Sequence, residues 1–393
     1  MHLYEIVLRT MLHWSVIEVK VSVCVISDSS RLHEIESTWD TLVNRCSENP
    51  FLLSGFIKQF MEFSSSKGWT PLVLVISIDD TIVGVAPLKI SKKLGIQFAR
   101  FLPNIWFSPD FVSDDKYREI CLAHILGFLF KTLRCQLVDL TLPSDSPNMQ
   151  IIERKCKTDK IHLHTKKEKG RRILPIRSTW DEFEASRSAN FRRKFKRMER
   201  NISRLGSWKI RYAENEKGEF DVIKEIFNIE RMSWKERLRS QRGSKADPDL
   251  MIIWNGAQYV VKNGFNIKWS AWFLELDGQE LAYVLALQYK NVAYFAKTTY
   301  DERYERLAPG VYLVNAVIRE LFDKCQIRKI DFLTDLPFMQ TWTSLCLPRI
   351  RITMSRMSVL TALIKFALLS RRAKDVVTLV SKRSSLIADL IGS

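Results

Sequence analysis

The sequence presents nearly the same order of strands and helices twice, once in each half of its 393 residues. Hydrophobic periodicity in the first half predicts strands at 20–27, 71–77, 81–90, 97–107 and 136–142 and helices at 31–46, 51–68 and 117–133. In the second half it predicts strands at 208–215, 267–276, 281–289, 292–300 and 329–335 and helices at 220–238, 249–264 and from Gly310. This repetition predicts an α+β protein of two tandem domains, each a mixed, mostly antiparallel sheet flanked by helices.

The length of the chain also favours two domains, because one hydrophobic core rarely organises so many residues. The charged stretch TKKEKGRRILPIRSTW, at 165–180, lies between the two repeats. We therefore predict a first domain over 1–170, a second over 171–356, and a basic amphipathic helical tail over 357–393.

The composition is that of a globular protein with anionic partners. Hydrophobic residues make up 46% and charged residues 27% of the chain, and the net charge is +17. Such a charge favours nucleotides, coenzymes, nucleic acids or acidic membrane surfaces as partners, without choosing among them.

The seven cysteines show no C-x-x-C spacing, so we expect reduced thiols and no metal site. No segment reaches the roughly 18 to 20 apolar residues that a membrane-spanning helix needs. The N-terminal stretch, which Glu5, Arg9, Glu18 and Lys20 interrupt, contains no apolar signal-peptide core followed by a small-residue cleavage site. We expect a cytoplasmic protein.

The stretch YERLAPGVYLVNAVIREL, at 304–321, begins an amphipathic helix without a capping side chain. Ala308 occupies the cap position, Pro309 suits the first helical turn, and Gly310 permits close approach to the backbone. The N–H groups of Gly310, Val311, Tyr312 and Leu313 would then face outward, at the positive end of the helix dipole. Such an end suits an anion with several oxygens, although water is an alternative cap.

The first repeat lacks this feature. Its corresponding helix follows SPDFVSDDKYREI, in which Asp110, Asp114 and Asp115 would repel a phosphate. We predict that the first domain forms a wall of an acceptor site rather than a second anion site.

Five short motifs follow one another in the second repeat: Tyr300-Asp301, Pro309-Gly310, Asp331-Phe332-Leu333, Pro337-Phe338 and Trp342. In this order they resemble the GNAT N-acyltransferase superfamily, within it the tandem-domain branch of CelD-like and FemAB-like proteins. The resemblance covers about residues 20 to 350. It departs at Met339, where relatives carry a lysine.

The resemblance implies that acetyl-CoA, or another acyl-CoA, is the co-substrate. Its pyrophosphate would bind the helix start formed by Pro309, Gly310, Val311, Tyr312 and Leu313. The backbone of Phe295, Ala296, Lys297 and Thr298 would polarise the thioester carbonyl, with the pantetheine arm between the splayed strands 292–300 and 329–335.

Acyl transfer to an amine needs a base, and all six histidines lie in the first half. Asp335, at the end of the predicted strand 329–335, is the first candidate, followed by Asp331 and Glu230. Tyr300 or Cys346 are candidates for the acid that protonates the leaving thiolate. A solvated or salt-bridged carboxylate is the alternative for each acidic residue.

Further residues are candidates for substrate binding. Arg192 and Arg193 lie on the basic helix SRSANFRRKFKRMERNISRLG, whose position suits a phosphorylated acceptor, although a solvated face is the alternative. The resemblance adds Trp234, Phe338 and Trp342, of which Trp234 suits core packing equally well.

Together these observations predict an N-acyltransferase that acts on a small-molecule or sugar-linked amine, such as an amino sugar or a cell-envelope or polysaccharide precursor. Two alternatives remain open: a non-catalytic protein that binds RNA or anionic lipid, and an aminoacyl-tRNA-dependent transferase. No RNA-binding motif accompanies the charge. The basic tail at 357–393 suits contact with a partner or peripheral contact with the inner membrane surface.

Overall fold

The computed structural model describes residues 4–5, 20–93, 96–214, 219–236, 247–324 and 326–356, so the predicted tail lies outside the described residues. The strands of the first half are β1 (Tyr4–Glu5), β2 (Val21–Ile26), β3 (Thr70–Ile78), β4 (Thr81–Lys93), β5 (Ile96–Phe101), β6 (Val112–Ser113), β7 (Leu137–Pro143) and β8 (His162–Pro175). Those of the second half are β9 (Trp208–Glu214), β10 (Ile267–Leu276), β11 (Gln279–Tyr289), β12 (Val292–Tyr300), β13 (Lys329–Asp331) and β14 (Cys346–Ser355).

Six of the described α-helices follow the order that the repeat predicts, and three near the centre of the chain lie outside the repeat. In chain order, the described α-helices are α1 (Glu36–Cys46), α2 (Ser54–Ser66), α3 (Arg118–Gly127), α4 (Met149–Thr158), α5 (Trp180–Ala185), α6 (Ala189–Ser203), α7 (Glu219–Arg231), α8 (Pro248–Lys262) and α9 (Pro309–Asp323).

Tight two-residue turns connect the antiparallel strands. Asp79-Asp80, Asp277-Gly278 and Lys290-Asn291 all have positive φ at both residues. Consecutive left-handed residues form the type I′ turn, whose twist matches that of the strands it joins. These polar pairs therefore fix the hairpins β3–β4, β10–β11 and β11–β12.

The strands form one continuous sheet in the order β1-β2-β3-β4-β5-β7-β14-β8-β13-β12-β11-β10-β9, with β6 paired to β4. Its two halves repeat one motif, because β3-β4-β5-β7 and β10-β11-β12-β13 each end in a parallel pair. A helix, α3 or α9, connects the members of each parallel pair. The predicted α+β class with a tandem repeat is confirmed.

The central strands β8 and β14 join the two halves, which the sequence pattern did not predict. β14 comes from the end of the described chain, yet it pairs with β7 of the first half and with β8. The C-terminal end of β8 pairs with β13 of the second half. The predicted boundary at residue 170 falls within β8 and stays a prediction.

Three hydrophobic clusters fill the protein. One lies between the sheet of the first half and α3 and α4, and one between the sheet of the second half, α5, α6 and α9. The third lies on the other face and includes α1 and α2 together with α7 and α8. Because this third cluster contains residues of both halves, the halves share a core.

Two predicted strands are shorter in the structure than expected. β5 ends at Phe101, before Pro103, and the chain then forms a 3₁₀ turn over Ile105–Phe107. Proline cannot donate a ladder hydrogen bond, which explains this early end. β13 ends at Asp331, because Leu333 has a left-handed φ of 57°.

We predict that Gly256→Ala destabilises the protein at the crossing of α2 and α8. A Cβ atom at Gly256 would lie 2.8 Å from Cε1 of Phe56 and closer still to Cδ1. Overpacking of this kind costs about 1–3 kcal/mol, measurable by urea denaturation. Gly127→Ala is the control, because an added Cβ there meets no atom within 4 Å. Equal stability of the two variants would contradict the prediction.

Candidate functional site

Strands β12 and β13 pair only at their first residues and then separate. The parallel register joins Val292 to Lys329 and Tyr294 to Asp331. β12 then continues to Tyr300 without β13 beside it, while it stays paired with β11 on its other edge. The chain after β13 instead follows β8, where Phe332 N–H donates to the Arg172 carbonyl at 3.0 Å. The separation leaves one edge of β12 without a neighbouring strand.

The turn at Leu333 produces this separation. Its N–H donates to Oδ1 of Asp331 at 2.8 Å, and its carbonyl accepts from Nη2 of Arg349 at 2.6 Å. Asp331 is itself held by Arg171 Nη1 at 2.6 Å. A left-handed leucine is uncommon and persists only where surrounding contacts enforce it. Asp331, an initial base candidate, therefore supports the turn.

A β-bulge lies on β12 beside the separation. Leu285 pairs with Lys297 and Ala286 pairs with Phe295, so Ala296 is the extra residue. A bulge leaves one residue out of the ladder and bends its strand. The four backbone positions predicted to face a thioester, 295–298, are thus irregular on one edge and free of a strand on the other.

Helix α9 begins without a side-chain cap, as expected. Ala308 precedes it in a left-handed conformation, and its carbonyl accepts from the N–H groups of Val311 and Tyr312, both at 3.1 Å. Fewer N–H groups are therefore free at this helix end than the four that the sequence predicted. The N–H of Gly310 has no acceptor among the described residues, while Leu313 is inside the helix.

Tyr300 lies against this helix start. An ideal Cβ on Gly310 would be 3.1 Å from Cδ1 of Tyr300, so glycine lets the ring pack on the backbone. Burial, followed by Glu305 and Glu302, raises the pKa of the Tyr300 phenol above its usual value. The phenol therefore stays protonated at neutral pH, as an acid must.

The corresponding turn of the first half is closed by the protein's own side chains. Asp114 accepts from Lys116 N–H at 3.3 Å and pairs with Arg45 at 3.0 Å. Asp115 pairs with Arg118. Asp110 accepts from Asn148 at 2.7 Å, and burial raises the pKa of its carboxyl to about 6. α3 itself has no side-chain cap either, and Asp301 caps the turn Glu302–Leu307 in the second half; the difference is that left-handed Ala308 separates this turn from α9.

Glu230, at the end of α7, is buried on the face of the sheet that α8 covers. Its Oε1 accepts from the Tyr283 hydroxyl at 2.7 Å and lies 3.7 Å from Nζ of Lys235. Lys235 donates to the Thr298 carbonyl at 2.7 Å. This connects the Glu230 carboxylate to the irregular part of β12.

Asp335 lies on the opposite face. It accepts from Nε of Arg172 at 2.6 Å, and Arg172 points to the same side as Leu174, which packs in the cluster of α9. Burial, followed by Asp335, raises the pKa of the neighbouring Cys346 thiol. The structure therefore separates the two carboxylate candidates.

Lys297 connects the bulge to the start of α8. Its Nζ pairs at 2.6 Å with Asp247, whose carboxylate also accepts from the N–H groups of Asp249 and Leu250. The sequence pattern did not single out Asp247 and Asp249 as site residues. The run ADPDL nevertheless signals a helix start, because it contains a cap residue and a first-turn proline. Asp249 lines a cavity of about 450 Å³ that also borders the separation of β5 and β7.

The basic helix α6 packs on α9, away from this cavity. Nη1 of Arg192 donates to the carbonyls of Glu184, Ala185 and Arg187 and so closes the end of α5. Arg193 is exposed. The structure does not bring these two arginines together with Glu230.

The three aromatic candidates have different surroundings. Trp342 is fully buried, stacks near Phe332, and donates to Oδ1 of Asn315 at 2.9 Å. Phe338 packs edge-on against Trp342, whereas Trp234 is 40% exposed. Met339, at the position where relatives carry lysine, is buried in the same cluster as Trp342.

Part of the chain matches a known protein family. Residues 189–338, which include β12, α9 and β13, match the family model "Acetyltransferase (GNAT) domain". The match covers less than half of the chain. A search of curated proteins by sequence gives no significant match.

Solved structures share this tandem GNAT fold at low sequence identity. FemX is 12% identical, with a TM-score of 0.53 over 80% of this chain and 95% of FemX. L-PGS from Bacillus licheniformis is 9% identical, with a TM-score of 0.51 over 84% of this chain and 94% of that protein. A protein of unknown function from Bacteroides thetaiotaomicron is 8% identical, with a TM-score of 0.52 over 85% of this chain and 100% of that protein.

The match to a GNAT acetyltransferase domain supports acyltransferase activity, and the neighbours share the fold. In the described part of the chain, no cluster of three His, Cys, Asp or Glu residues is arranged to hold a metal ion. No helix in the same residues has the length and apolarity to span a membrane.

We predict that Arg349→Met destabilises the protein by about 3 kcal/mol or more, because buried carbonyls lose a charged donor. Arg349→Lys should recover only part of this, since one ammonium cannot reach acceptors on both arms of the guanidinium. Urea denaturation measures both changes. Arg177→Met, at an exposed arginine, is the control. If Arg349→Met unfolded like that control, Arg349 would not hold the turn at Leu333.

Proposed function

We propose that this GNAT protein transfers an acyl group, acetyl in the first instance, from acyl-CoA to an amine. The observation that carries the proposal is the combination of separated strands, bulged β12 and uncapped α9 in the second half alone. A pyrophosphate would accept from the Gly310 amide at the positive end of α9. The pantetheine amides would pair with the open edge of β12 over 295–298.

The basic face of α6 fits the coenzyme better than the acceptor. α6 packs on α9 and on the turn Glu302–Leu307 that precedes it. Arg193 and its basic neighbours would therefore attract the coenzyme's phosphates. Arg192 acts indirectly, because its guanidinium holds the end of α5.

The reaction requires one bond to form and one to break. The neutral amine nitrogen attacks the thioester carbonyl carbon, the C–S bond breaks, and the products are an amide and free CoA. The amine gives one proton to a base, and the leaving thiolate receives one from an acid. The ammonium's first proton leaves to solvent before attack.

Among the candidates, Glu230 and Tyr300 have the surroundings that these roles need. Glu230 lies on the face of the sheet that α8 covers, and Lys235 connects it to Thr298. Tyr300 stays protonated beside the start of α9. Asp335 forms an ion pair with Arg172 on the other face, so its proposed role is to hold the chain after β13 in place.

We propose a small-molecule or sugar-linked amine acceptor, such as an amino sugar or a cell-envelope or polysaccharide precursor, and a cytoplasmic location. The basic tail at 357–393 would add peripheral contact with the inner membrane surface. The similarity to FemX keeps one rival open, a transferase that uses aminoacyl-tRNA as donor.

Ala308→Asp tests the coenzyme site. Aspartate tolerates a left-handed conformation and places a negative charge at the positive end of α9, so the free protein should be as stable or slightly more stable. The same charge should repel the pyrophosphate and weaken CoA and acetyl-CoA binding about tenfold or more, equivalent to about 1.4 kcal/mol. Calorimetric titration measures the affinity and thermal unfolding the stability.

Ala308→Asn is the matched neutral control and should bind CoA nearly as the unmodified protein does. Charged tRNA is titrated in parallel. If CoA and acetyl-CoA do not bind while aminoacyl-tRNA does, the rival donor is correct. If neither binds, the transferase proposal fails.

Glu230→Gln tests the base. A glutamine still accepts from Tyr283 but cannot take a proton, so kcat should fall by about 10²-fold or more while the Kd for CoA is unchanged. Asp335→Asn should lower stability and leave kcat within a few-fold for the folded protein. Release of free CoA from acetyl-CoA, followed by a thiol reagent, gives the rate. The reverse pattern would restore Asp335 as the base.

A further inference from the structure

A cavity of about 450 Å³ lies where β5 and β7 separate, on the face of the sheet covered by α2 and α8. Their parallel pairing ends at Ala99 and Val138, and the following residues of both strands line the space. Phe60 and Trp69 supply apolar walls. The volume is in the range of small-molecule sites, about 300–1,000 Å³.

Part of the charge in this cavity is already paired within the protein. Asp139 receives Nη2 of Arg100 at 2.8 Å and two nitrogens of Arg351 at 2.6 and 2.8 Å. Its carboxylate is buried. Glu168 also lines the cavity and acts on Arg351, so two carboxylates balance the two guanidinium groups.

Lys89 lines the same cavity without such compensation. Its Nζ donates to the Leu102 carbonyl at 3.1 Å and lies 5.2 Å from the centre of the Trp69 ring. Among the described residues, no carboxylate is within ion-pair distance of it. Burial, reinforced by Arg100, lowers the pKa of this ammonium to about 8. Binding of an anion beside a desolvated cation of this kind is favourable, because the anion supplies the opposite charge that the cation lacks.

Asp249 lines the cavity from the first turn of α8. No cation in the described part of the chain forms an ion pair with its carboxylate, and burial raises its pKa. Its neighbour Asp247 pairs with Lys297 of the bulged strand. The acidic wall of the cavity therefore adjoins the strand that would hold the acyl group.

We propose that this cavity binds an amine acceptor that also carries an anionic group, with Lys89 paired to the anion and Asp249 to the ammonium. The assignment as acceptor rests on the proposed function, whereas binding does not require acyl transfer. Trp69 and Phe60 would pack against the carbon skeleton. Asp249 would hold the nitrogen at the wall nearest Asp247, which is the ion-pair partner of Lys297 in β12.

The test uses two matched sets of probes, titrated calorimetrically into the full chain without coenzyme. One set is glucosamine 6-phosphate, glucosamine and glucose 6-phosphate; the other is phosphoethanolamine, ethanolamine and methyl phosphate. In at least one set, the molecule with both charges should bind at least tenfold more tightly than either single-charge molecule.

Two variants assign the charges. Lys89→Met should weaken binding of the phosphate-bearing probes at least tenfold and leave glucosamine or ethanolamine unchanged. Asp249→Asn should weaken the amine-bearing probes and leave the phosphate-only probes unchanged. Lys92→Met, exposed on the same strand as Lys89, and Asp181→Asn, exposed in the first turn of α5, are the controls and should change nothing.

Each outcome separates this inference from the proposed function. If acetyl-CoA binds but no probe binds below 10 mM, or the two variants behave like their controls, the cavity assignment is overturned and the coenzyme site stands. If the doubly charged probe binds with the predicted dependence on Lys89 and Asp249 but no CoA species binds, the cavity is confirmed as a binding site and the acyl-CoA proposal fails. Thermal unfolding of each variant verifies that it is folded.

Discussion

The guanidinium of Arg349 contacts both repeated halves at the point where they join. It donates to the carbonyls of Lys169 and Gly170 in β8, to the Trp106 carbonyl and Ser108 hydroxyl of the first half, and to the Leu333 carbonyl of the second. It is almost completely buried, and burial lowers its pKa to about 10, which still leaves it charged at neutral pH. A buried cation held by neutral carbonyls requires all its acceptors in place, so it specifies where three segments meet.

The position of Arg349 follows from an irregularity in the two central strands. Lys169 and Gly170 together oppose Pro348, and a side chain on Gly170 would collide with the Leu347 carbonyl. This bulge lets β8 pass from pairing with β14 to pairing with β13. The same guanidinium then holds Leu333 in its left-handed turn, so the connection of the halves and the separation of β12 from β13 have a common cause.

The two repeats use one framework for different purposes. In the second, left-handed Ala308 separates α9 from the turn before it, whereas in the first the turn that Asp114 caps runs directly into α3. The faces of the sheet differ as well, with α6 and α9 on one and α7, α8 and the charged cavity on the other. A coenzyme and an amine that approached from these two faces would meet at the bulged strand β12.

Local pattern in the sequence determined the order of the repeated elements and the uncapped helix at Pro309, because periodicity, turn residues and capping act over a few residues. It did not predict β8, whose charged run KKEKGRR reads as a linker, although the alternation of Ile350, Ile352 and Met354 signals its partner β14. Asp335 and Glu230 were equally plausible in sequence, and only packing placed them on opposite faces. Lys89 and Asp249, far apart in the chain, line one cavity because tertiary structure alone decides which charges lose water together.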